Sequence, residues 1–174
     1  MLRSNEALMR LKQLTTNALL TAIALTIFMI EAQIPAPIPI PGIKLGLANV
    51  ITVFAIFAFT PKDALFILIV RVFLGSVFSG QISTLLYSGA GGLMCFAAMV
   101  LMRKVLSERQ LWVASVIGAV FHNVGQILVA IWVTGTPSIA VYLPILMVSG
   151  ILAGLFTGLC TQFLYQKLKQ HRMF

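Results

Sequence analysis

The sequence predicts an all-α membrane protein, a bundle of six transmembrane helices with both termini in the cytoplasm. Hydrophobic residues make up 60% of the 174 residues and charged residues only 9%, compared with about 25% charged residues in a soluble domain. Several apolar runs are long enough to cross a bilayer and lack the polar face of a soluble helix. Cationic residues cluster between these runs, a pattern that orients membrane proteins. We therefore expect one integral membrane domain over residues 1–174.

The first span, at about residues 14–30, follows a polar segment, 1–13, that is predicted to be cytoplasmic. A charged segment before an apolar run is also typical of a secretory signal peptide, but Glu31 and a proline run follow in place of a small-residue cleavage site. Ala18 and Ala22 lie four residues apart, a spacing that lets another helix approach closely. Alanine is also common in membrane helices, so this spacing alone does not establish a docking surface.

Prolines at positions 35, 37, 39 and 41 alternate with other residues after the first span. Proline fixes φ, lacks a backbone donor and pushes the preceding residue into an extended conformation. Residues 34–45 are therefore predicted to form a stiff, polyproline-like outer loop that cannot be helical. Because this loop carries Lys44 and is followed by Asn49 among membrane helices, we expect it to help hold a ligand.

The remaining spans are joined by short connections, which favours antiparallel neighbours. They are predicted at about residues 45–60, 64–78, 85–102, 111–133 and 141–165, with a cytoplasmic tail at 166–174. The connections are predicted to be a tight turn, a brief break, a charged loop and a polar turn, at Pro61–Asp63, Gly80–Ser83, Arg103–Gln110 and Thr134–Ser138.

A ladder of small residues runs along the sixth span. Gly150, Gly154 and Gly158 are four residues apart and therefore lie on one face of the predicted helix. Small residues at this spacing predict close packing against a neighbouring membrane helix.

The cations decide the orientation of the six spans, which place both termini on one side of the membrane. Ten of the twelve Lys and Arg residues fall on the side of the termini, whereas Lys44 falls on the other side and Arg71 within a span. The positive-inside rule therefore places the termini and charged loops in the cytoplasm of a bacterial cell and the proline-rich loop outside. The net charge of +8 thus reflects membrane orientation and not binding to nucleic acid.

Arg71 lies near the middle of the third span, where a charge costs roughly 2.5–3.5 kcal/mol on insertion scales. Such a residue normally faces the interior of the bundle and has a partner there. Two interpretations remain open: Arg71 anchors an anionic group of a ligand, or it forms an ion pair or binds carbonyl groups within the bundle. Glu31 is the only acidic residue near a membrane-embedded position, but it lies toward the outer end of its span.

Three polar residues share one turn of the fifth span. His122 and Gln126 are four residues apart and lie on one helix face, with Asn123 beside that face. Polar side chains at membrane depth must find partners. We interpret this cluster as the polar wall of a ligand pocket, and interhelical hydrogen bonding is the alternative.

Further candidates lie at the outer mouth of the bundle. Lys44 and Asn49 border the proline-rich loop, and Gln81 and Tyr87 border the next outer break. Lys44 is equally suited to snorkel to the membrane interface. The complete predicted ligand-binding set is Lys44, Asn49, Arg71, Gln81, Tyr87, His122, Asn123 and Gln126.

Several catalytic motifs are missing from the sequence. It contains no GxxxxGK[ST] motif for ATP hydrolysis. Its single aspartate, Asp63, argues against a prenyl synthase, because Mg²⁺-diphosphate chemistry needs several carboxylates to hold the metal. The second histidine, His171, lies in the tail, so no metal site is predicted. We expect a protein that is not an enzyme and carries no catalytic residue, metal or cofactor.

Five stretches carry a resemblance to a known family: GIKLGLANV (42–50), PKDALFILIVRVFLGSVFSG (61–80), LYSGAGGL (86–93), GAVFHNVGQ (118–126) and YLPILMVSGILAGLFTGL (142–159). They resemble the Gx transporter family, whose members are often labelled heptaprenyl diphosphate synthase component I. The resemblance covers nearly the whole chain from Ala18 onward. That family is in turn similar to the substrate-binding S components of energy-coupling factor (ECF) transporters.

The resemblance implies a six-helix fold of S-component type, with an outward-opening ligand site lidded by the loop between the first two spans. It also implies three partners: a membrane coupling subunit and two ATPase subunits. Ala18 and Ala22 match, in spacing and place, the alanine pair with which S components dock the coupling subunit. The expected function is that of an ECF substrate-binding subunit for a small vitamin-like or anionic metabolite. Two alternatives stay open: a membrane subunit of a flavin or quinone redox system, and an accessory component of polyprenyl diphosphate synthesis.

Overall fold

The structure, a computed structural model, describes residues 2–34, 44 and 46–170, with side chains from residue 6 onward. All regular structure in this part of the chain is helical, which confirms the predicted all-α fold. The elements are α1 (Leu2–Glu31), α2 (Asn49–Ala58), α3 (Pro61–Ser79), α4 (Ile82–Arg103), α5 (Leu111–Thr134), a 3₁₀ helix (Pro137–Tyr142) and α6 (Leu143–Gln170).

Four of the described segments are long and apolar enough to cross a membrane, and the chain is accordingly a membrane protein. They are Glu6–Glu31, Ile82–Arg103, Leu111–Thr134 and Pro137–Gln170. The two remaining helices differ from them. The ten residues of α2 are fewer than the roughly 20 that a membrane-spanning helix needs, and α3 carries Lys62, Asp63 and Arg71.

Close approach on both sides of α5 organises the C-terminal half of the bundle. This helix lies between α4 and α6 and packs against both. The predicted glycine ladder of α6 faces it: a Cβ atom on Gly154 would lie 2.9 Å from the Cα atom of Val116, and one on Gly158 would lie 2.6 Å from the Cα atom of Trp112. Real Cβ atoms do not approach backbone this closely. The prediction of a close packing face is therefore confirmed.

The α4–α5 contact is equally tight. A Cβ atom on Gly125 would lie 2.9 Å from the Cα atom of Gly91, and one on Gly91 would lie 2.9 Å from the His122 ring. Because glycine allows the two backbones to meet here, the His122 side chain is held at the centre of the bundle.

The short helix α2 occupies the middle of the structure. It contacts each of the other five α-helices, and seven of its ten residues are buried. Val53, Ala55 and Ile56 are completely inaccessible to solvent and pack with residues of α1, α3 and α4. The packing of α2 places its first residue, Asn49, among the surrounding helices.

One face of α1 packs against the bundle and the opposite face is exposed. The buried face is formed by residues spaced three or four apart, Asn17, Thr21, Ala24, Phe28 and Glu31. It contacts α2 and α3. Ala18 and Ala22 lie on the exposed face, pointing away from the bundle, next to the exposed Leu19 and Ile23.

Several predicted boundaries were wrong. The predicted turn at Pro61–Asp63 is the first turn of α3, because proline is well tolerated at the start of a helix and Thr60 forms a capping box with Asp63. α1 begins at Leu2, well before the predicted start of the first span at about residue 14. The break after α3 is confined to Gly80 and Gln81, because Gly80 ends the helix in the left-handed conformation (φ +65°).

A 3₁₀ helix follows α5 where a polar turn was predicted. Most of the predicted stiff, polyproline-like loop, residues 35–43 and 45, and the last residues of the tail, 171–174, lie outside the described residues.

Candidate functional site

Five of the predicted site residues come together beneath the start of α2. They are contributed by the segment before α2, by α2 itself, by α3 and by α5, and all but Lys44 are buried. Hydrogen bonds join them in a chain that we call the polar relay: Arg71, Asn49, His122, Gln126 and the backbone of Lys44.

The hydrogen bonds of the polar relay run in one direction from Arg71 as far as Gln126. Arg71 Nη2 donates to Asn49 Oδ1 over 3.1 Å, and Asn49 Nδ2 donates to His122 Nδ1 over 3.3 Å. Nδ1 is then an acceptor, which assigns the ring proton to Nε2. His122 Nε2 donates over 3.1 Å to the side-chain oxygen of Gln126, in the amide orientation that satisfies both ends of this side chain. In that orientation, Gln126 also binds both the N–H and the carbonyl of Lys44 at 3.1 Å.

Arg71 is the least satisfied charge in the described part of the chain. Its side chain is only 3% exposed, and Asn49, a neutral acceptor, provides its hydrogen bond. Among the described residues, no carboxylate lies within ion-pair distance of Arg71, and its Nε atom has no hydrogen-bond partner. A buried charge without a counter-charge is costly.

Glu31 holds the segment before α2. Its carboxylate, only 3% exposed, accepts hydrogen bonds from the backbone N–H groups of Gly46 over 2.5 Å and Ala48 over 3.4 Å. Gly46 adopts a left-handed conformation (φ +81°), and a Cβ atom there would lie 2.9 Å from Asn49 Nδ2. The end of α1 thus fixes the backbone that leads into Asn49.

Lys44 contributes a second cation at this place. Its Nζ atom lies 3.8 Å from the ring centroid of Phe28 on α1, a cation–π contact. Lys44, Arg71 and Glu31 therefore surround the relay with two cations and one carboxylate. Within the described residues, neither cation is within ion-pair distance of the carboxylate. The centre consequently has an excess of one positive charge when all three groups are ionised.

The other predicted site residues are not part of the relay. Asn123 donates to the carbonyl of Leu146 on α6 over 2.5 Å, an interhelical bond, and its Oδ1 atom is buried without a partner in the described structure. Tyr87 is buried in an apolar cluster with Ile127 and other residues of α5 and α6. Gln81 is exposed at the start of α4.

A second buried charge, Asp63 in the predicted turn, has all of its hydrogen bonds supplied by the protein. Asp63 Oδ1 accepts hydrogen bonds from Gln13 Nε2 over 2.6 Å and Asn17 Nδ2 over 2.7 Å, both on α1. Its Oδ2 atom accepts from the Thr60 hydroxyl over 2.6 Å. We call this group the Asp63 clasp, which joins α1 to α3. The pattern Thr-x-x-Asp, typical of a capping box, was the available signal for part of it.

A polar group at the predicted cytoplasmic end ties α6 to the loop before α5. Glu108 forms an ion pair with Lys169, and Gln162 bonds the Glu108 carbonyl over 2.6 Å and the Leu111 N–H over 2.9 Å. The hydrogen bond from Lys169 lowers the pKa of Glu108 below its usual value. An open cavity of about 400 Å³ adjoins the pair and is lined by Glu108, Arg109, Tyr165, Gln166, Lys169 and Gln170.

The fold and the relay define a helical membrane protein with a buried polar centre that carries excess positive charge. The chain belongs to the family described as heptaprenyl diphosphate synthase component I, whose family model matches residues 20–164. This confirms the family predicted from the sequence, and the matched range includes every residue of the relay. Comparisons with curated proteins and with solved structures gave no significant match.

Proposed function

We propose that this protein is the substrate-binding subunit of an ECF-type importer for a small vitamin-like or anionic metabolite, and that it binds its ligand without catalysis. One observation carries the proposal: Arg71 is buried at the centre of a membrane protein, and no carboxylate among the described residues lies within ion-pair distance of it. Charged residues in such positions commonly serve a ligand or ion pathway. A ligand that brings a negative charge would supply the missing partner.

The charges around the relay support an anionic ligand over a neutral or cationic one. Glu31 is engaged by two backbone N–H groups, and Lys44 by an aromatic ring. The guanidinium of Arg71 therefore retains donors for an incoming carboxylate or phosphate, which arginine binds through paired hydrogen bonds.

Access from outside follows from the proposed topology of six spans with cytoplasmic termini. Ten of twelve cations lie on the side of the termini, as the positive-inside rule requires of cytoplasmic segments. The segment held by Glu31 and Gln126 then lies on the outer side and covers the relay. Opening of this segment admits the ligand to Arg71.

Transport requires partners that supply energy: a membrane coupling subunit and two ATPases. The outward face of α1 supports such an assembly, because Ala18 and Ala22 lie there and are free of contacts with the bundle core. Small residues on an exposed helix face let a partner helix approach closely.

A second candidate function is that of an accessory component in polyprenyl diphosphate synthesis. It is favoured by the description of the family to which the chain belongs. The single aspartate of the chain assigns Mg²⁺-diphosphate chemistry to a different subunit. Prenyl-transfer activity of a partner that depends on this chain would support the second candidate over the first.

The deciding experiment is mass spectrometry of small molecules released from the detergent-purified protein. Wild type, Arg71→Ala, Arg71→Gln and the control Arg103→Ala are compared, with size-exclusion profiles to verify folding. We expect a near-stoichiometric anionic metabolite from wild type and Arg103→Ala, reduced at least about tenfold in both folded Arg71 variants. Lipid alone in all four samples contradicts the proposal.

A further inference from the structure

We infer that the Asn49 carboxamide binds the edge of the Arg71 guanidinium to which the carboxylate of a ligand also binds. When the ligand displaces Asn49 from this edge, the segment before α2 is released. This inference rests on the proposed function in so far as it gives the site an anionic ligand. It adds the class of that ligand, a carboxylate, and the residue with which the ligand competes.

The geometry at Arg71 favours a carboxylate. The Nε and Nη2 atoms lie on the same edge of a guanidinium, and a carboxylate binds this edge with both oxygens. Asn49 provides one neutral oxygen, which accepts from Nη2 over 3.1 Å. The neighbouring Nε donor is buried without a partner in the part of the chain that the structure describes. A carboxylate, with two acceptor oxygens, would satisfy both Nε and Nη2 of Arg71, whereas Asn49 now satisfies Nη2 alone.

The amide nitrogen of the Asn49 side chain connects the Arg71 edge, through hydrogen bonds, to the backbone before α2. Asn49 Nδ2 binds His122, which binds Gln126, and Gln126 holds the backbone of Lys44. The Asn49 N–H also donates to the Gly46 carbonyl over 3.0 Å. When a carboxylate displaces Asn49, the relay loses its link to Arg71, and the backbone of Lys44, Gly46 and Ala48 keeps Glu31 and Gln126 as its remaining partners.

Displacement and release are thermodynamically reciprocal. A ligand that takes the Arg71 edge favours conformations in which Asn49 has left it, and any change that keeps Asn49 there weakens binding of the ligand. Asn49 thereby sets affinity without needing to contact the ligand.

Two substitutions at position 49 distinguish an effect of occupying the Arg71 edge from an effect of lost side-chain packing. Asn49→Asp places an internal carboxylate beside Arg71, at the first residue of a helix, where a negative charge is favourable. Asn49→Ala removes the competing group. Asn17→Ala is the matched control, because it removes a buried carboxamide of the Asp63 clasp and leaves the relay intact.

The first readout needs no ligand. We expect Asn49→Asp to have the highest melting temperature, wild type an intermediate one and Asn49→Ala the lowest. Amide hydrogen exchange at Gly46 and Ala48 should be at least about threefold faster in Asn49→Ala than in wild type. Added sodium acetate should raise the melting temperature of Asn49→Ala, whereas acetamide and sodium chloride should not. An Asn49→Asp protein that melts below wild type, or acetate without effect, overturns the inference.

The second readout is the metabolite that co-purifies. We expect Asn49→Asp to lose it at least about tenfold, and the control Asn17→Ala, outside the relay, to retain it. An Asn49→Asp protein that keeps the metabolite at the wild-type level overturns the inference while the proposed function stands. If wild type releases no metabolite, the proposed function fails, and the melting, acetate and exchange measurements still decide the role of Asn49.

Discussion

Arg71 and Asp63 are both buried charges on α3, and they are treated in opposite ways. Asp63 accepts hydrogen bonds from Gln13, Asn17 and Thr60, so donors of the protein itself stabilise its charge. Arg71 has one neutral acceptor and an unused donor on the same edge. Full satisfaction indicates a structural role, whereas a deficit at the centre of a membrane protein indicates a place for an outside partner.

The largest effect expected from this comparison is on stability at Asp63. Asp63→Ala removes the shared acceptor of Gln13, Asn17 and Thr60, of which Asn17 is buried, and hydrogen bonds to a charged group contribute 1.5–3 kcal/mol each. We expect the free energy of unfolding to fall by about 3 kcal/mol, measured by denaturant titration in mixed micelles. Glu6→Ala, an exposed acidic residue of α1, is the control and should change little. An unaltered unfolding curve for Asp63→Ala contradicts the structural role of the clasp.

The same measurement on Arg71→Met should give a much smaller change. Removing the charge relieves an insertion cost of roughly 2.5–3.5 kcal/mol, and this gain offsets the loss of one charged hydrogen bond of similar size. We expect a net change in the free energy of unfolding of less than about 1 kcal/mol. A loss as large as that of Asp63→Ala would make Arg71 structural and remove the contrast.

An effect smaller than that of Asp63→Ala is expected at Glu31. Glu31→Gln keeps one acceptor oxygen, so one of the two N–H bonds to Gly46 and Ala48 is lost or weakened, at a cost of about 1 kcal/mol. Hydrogen exchange of these two amides should therefore become faster. Glu6→Gln makes the same chemical change on the exposed part of α1 and should leave the exchange unchanged. Equal exchange in Glu31→Gln and wild type would show that Glu31 does not hold the segment.

The smallest effect concerns pH and the loop before α5. Because the pKa of Glu108 lies below its usual value, its stabilising contribution is present at neutral pH and is lost as the pH falls through the folded-state pKa. Hydrogen exchange in residues 104–110, corrected for the intrinsic pH dependence, should therefore become faster in acid. Lys169→Met should abolish this pH dependence, whereas the neighbouring Lys167→Met should preserve it. Identical profiles for all three proteins would exclude the ion pair as the cause.

The sequence was sufficient for much of this site, because periodicity carries information along one helix. His122 and Gln126 are four residues apart, and they do share a face and a hydrogen bond. Asn123 is one residue further along, about 100° around the helix from His122, and it binds α6 instead. Helical geometry thus explains why one member of a dense polar cluster has a different partner.

Contacts between distant segments could not be predicted in this way. The Asn49–Arg71 bond depends on how far α2 extends into the bundle, and the predicted span of 45–60 exceeded the observed helix at both ends. The Asp63 clasp depends on α1 continuing as a helix through Gln13, a residue that lies before the predicted first span of 14–30. In both places, tertiary packing outweighed local polarity and proline content.

The shortness of α2 has a consequence for how the chain is stabilised in lipid. Ten residues make a helix about 15 Å long, half of the roughly 30 Å hydrocarbon thickness of a bilayer. The described residues just before α2, Gly46–Ala48, are partly or fully buried, and peptide groups inside a membrane protein need partners other than water. The carboxylate of Glu31 and the amide of Gln126 supply hydrogen-bond partners to the peptide groups of Lys44, Gly46 and Ala48. The two side chains that hold the segment over the proposed ligand site therefore also satisfy its backbone.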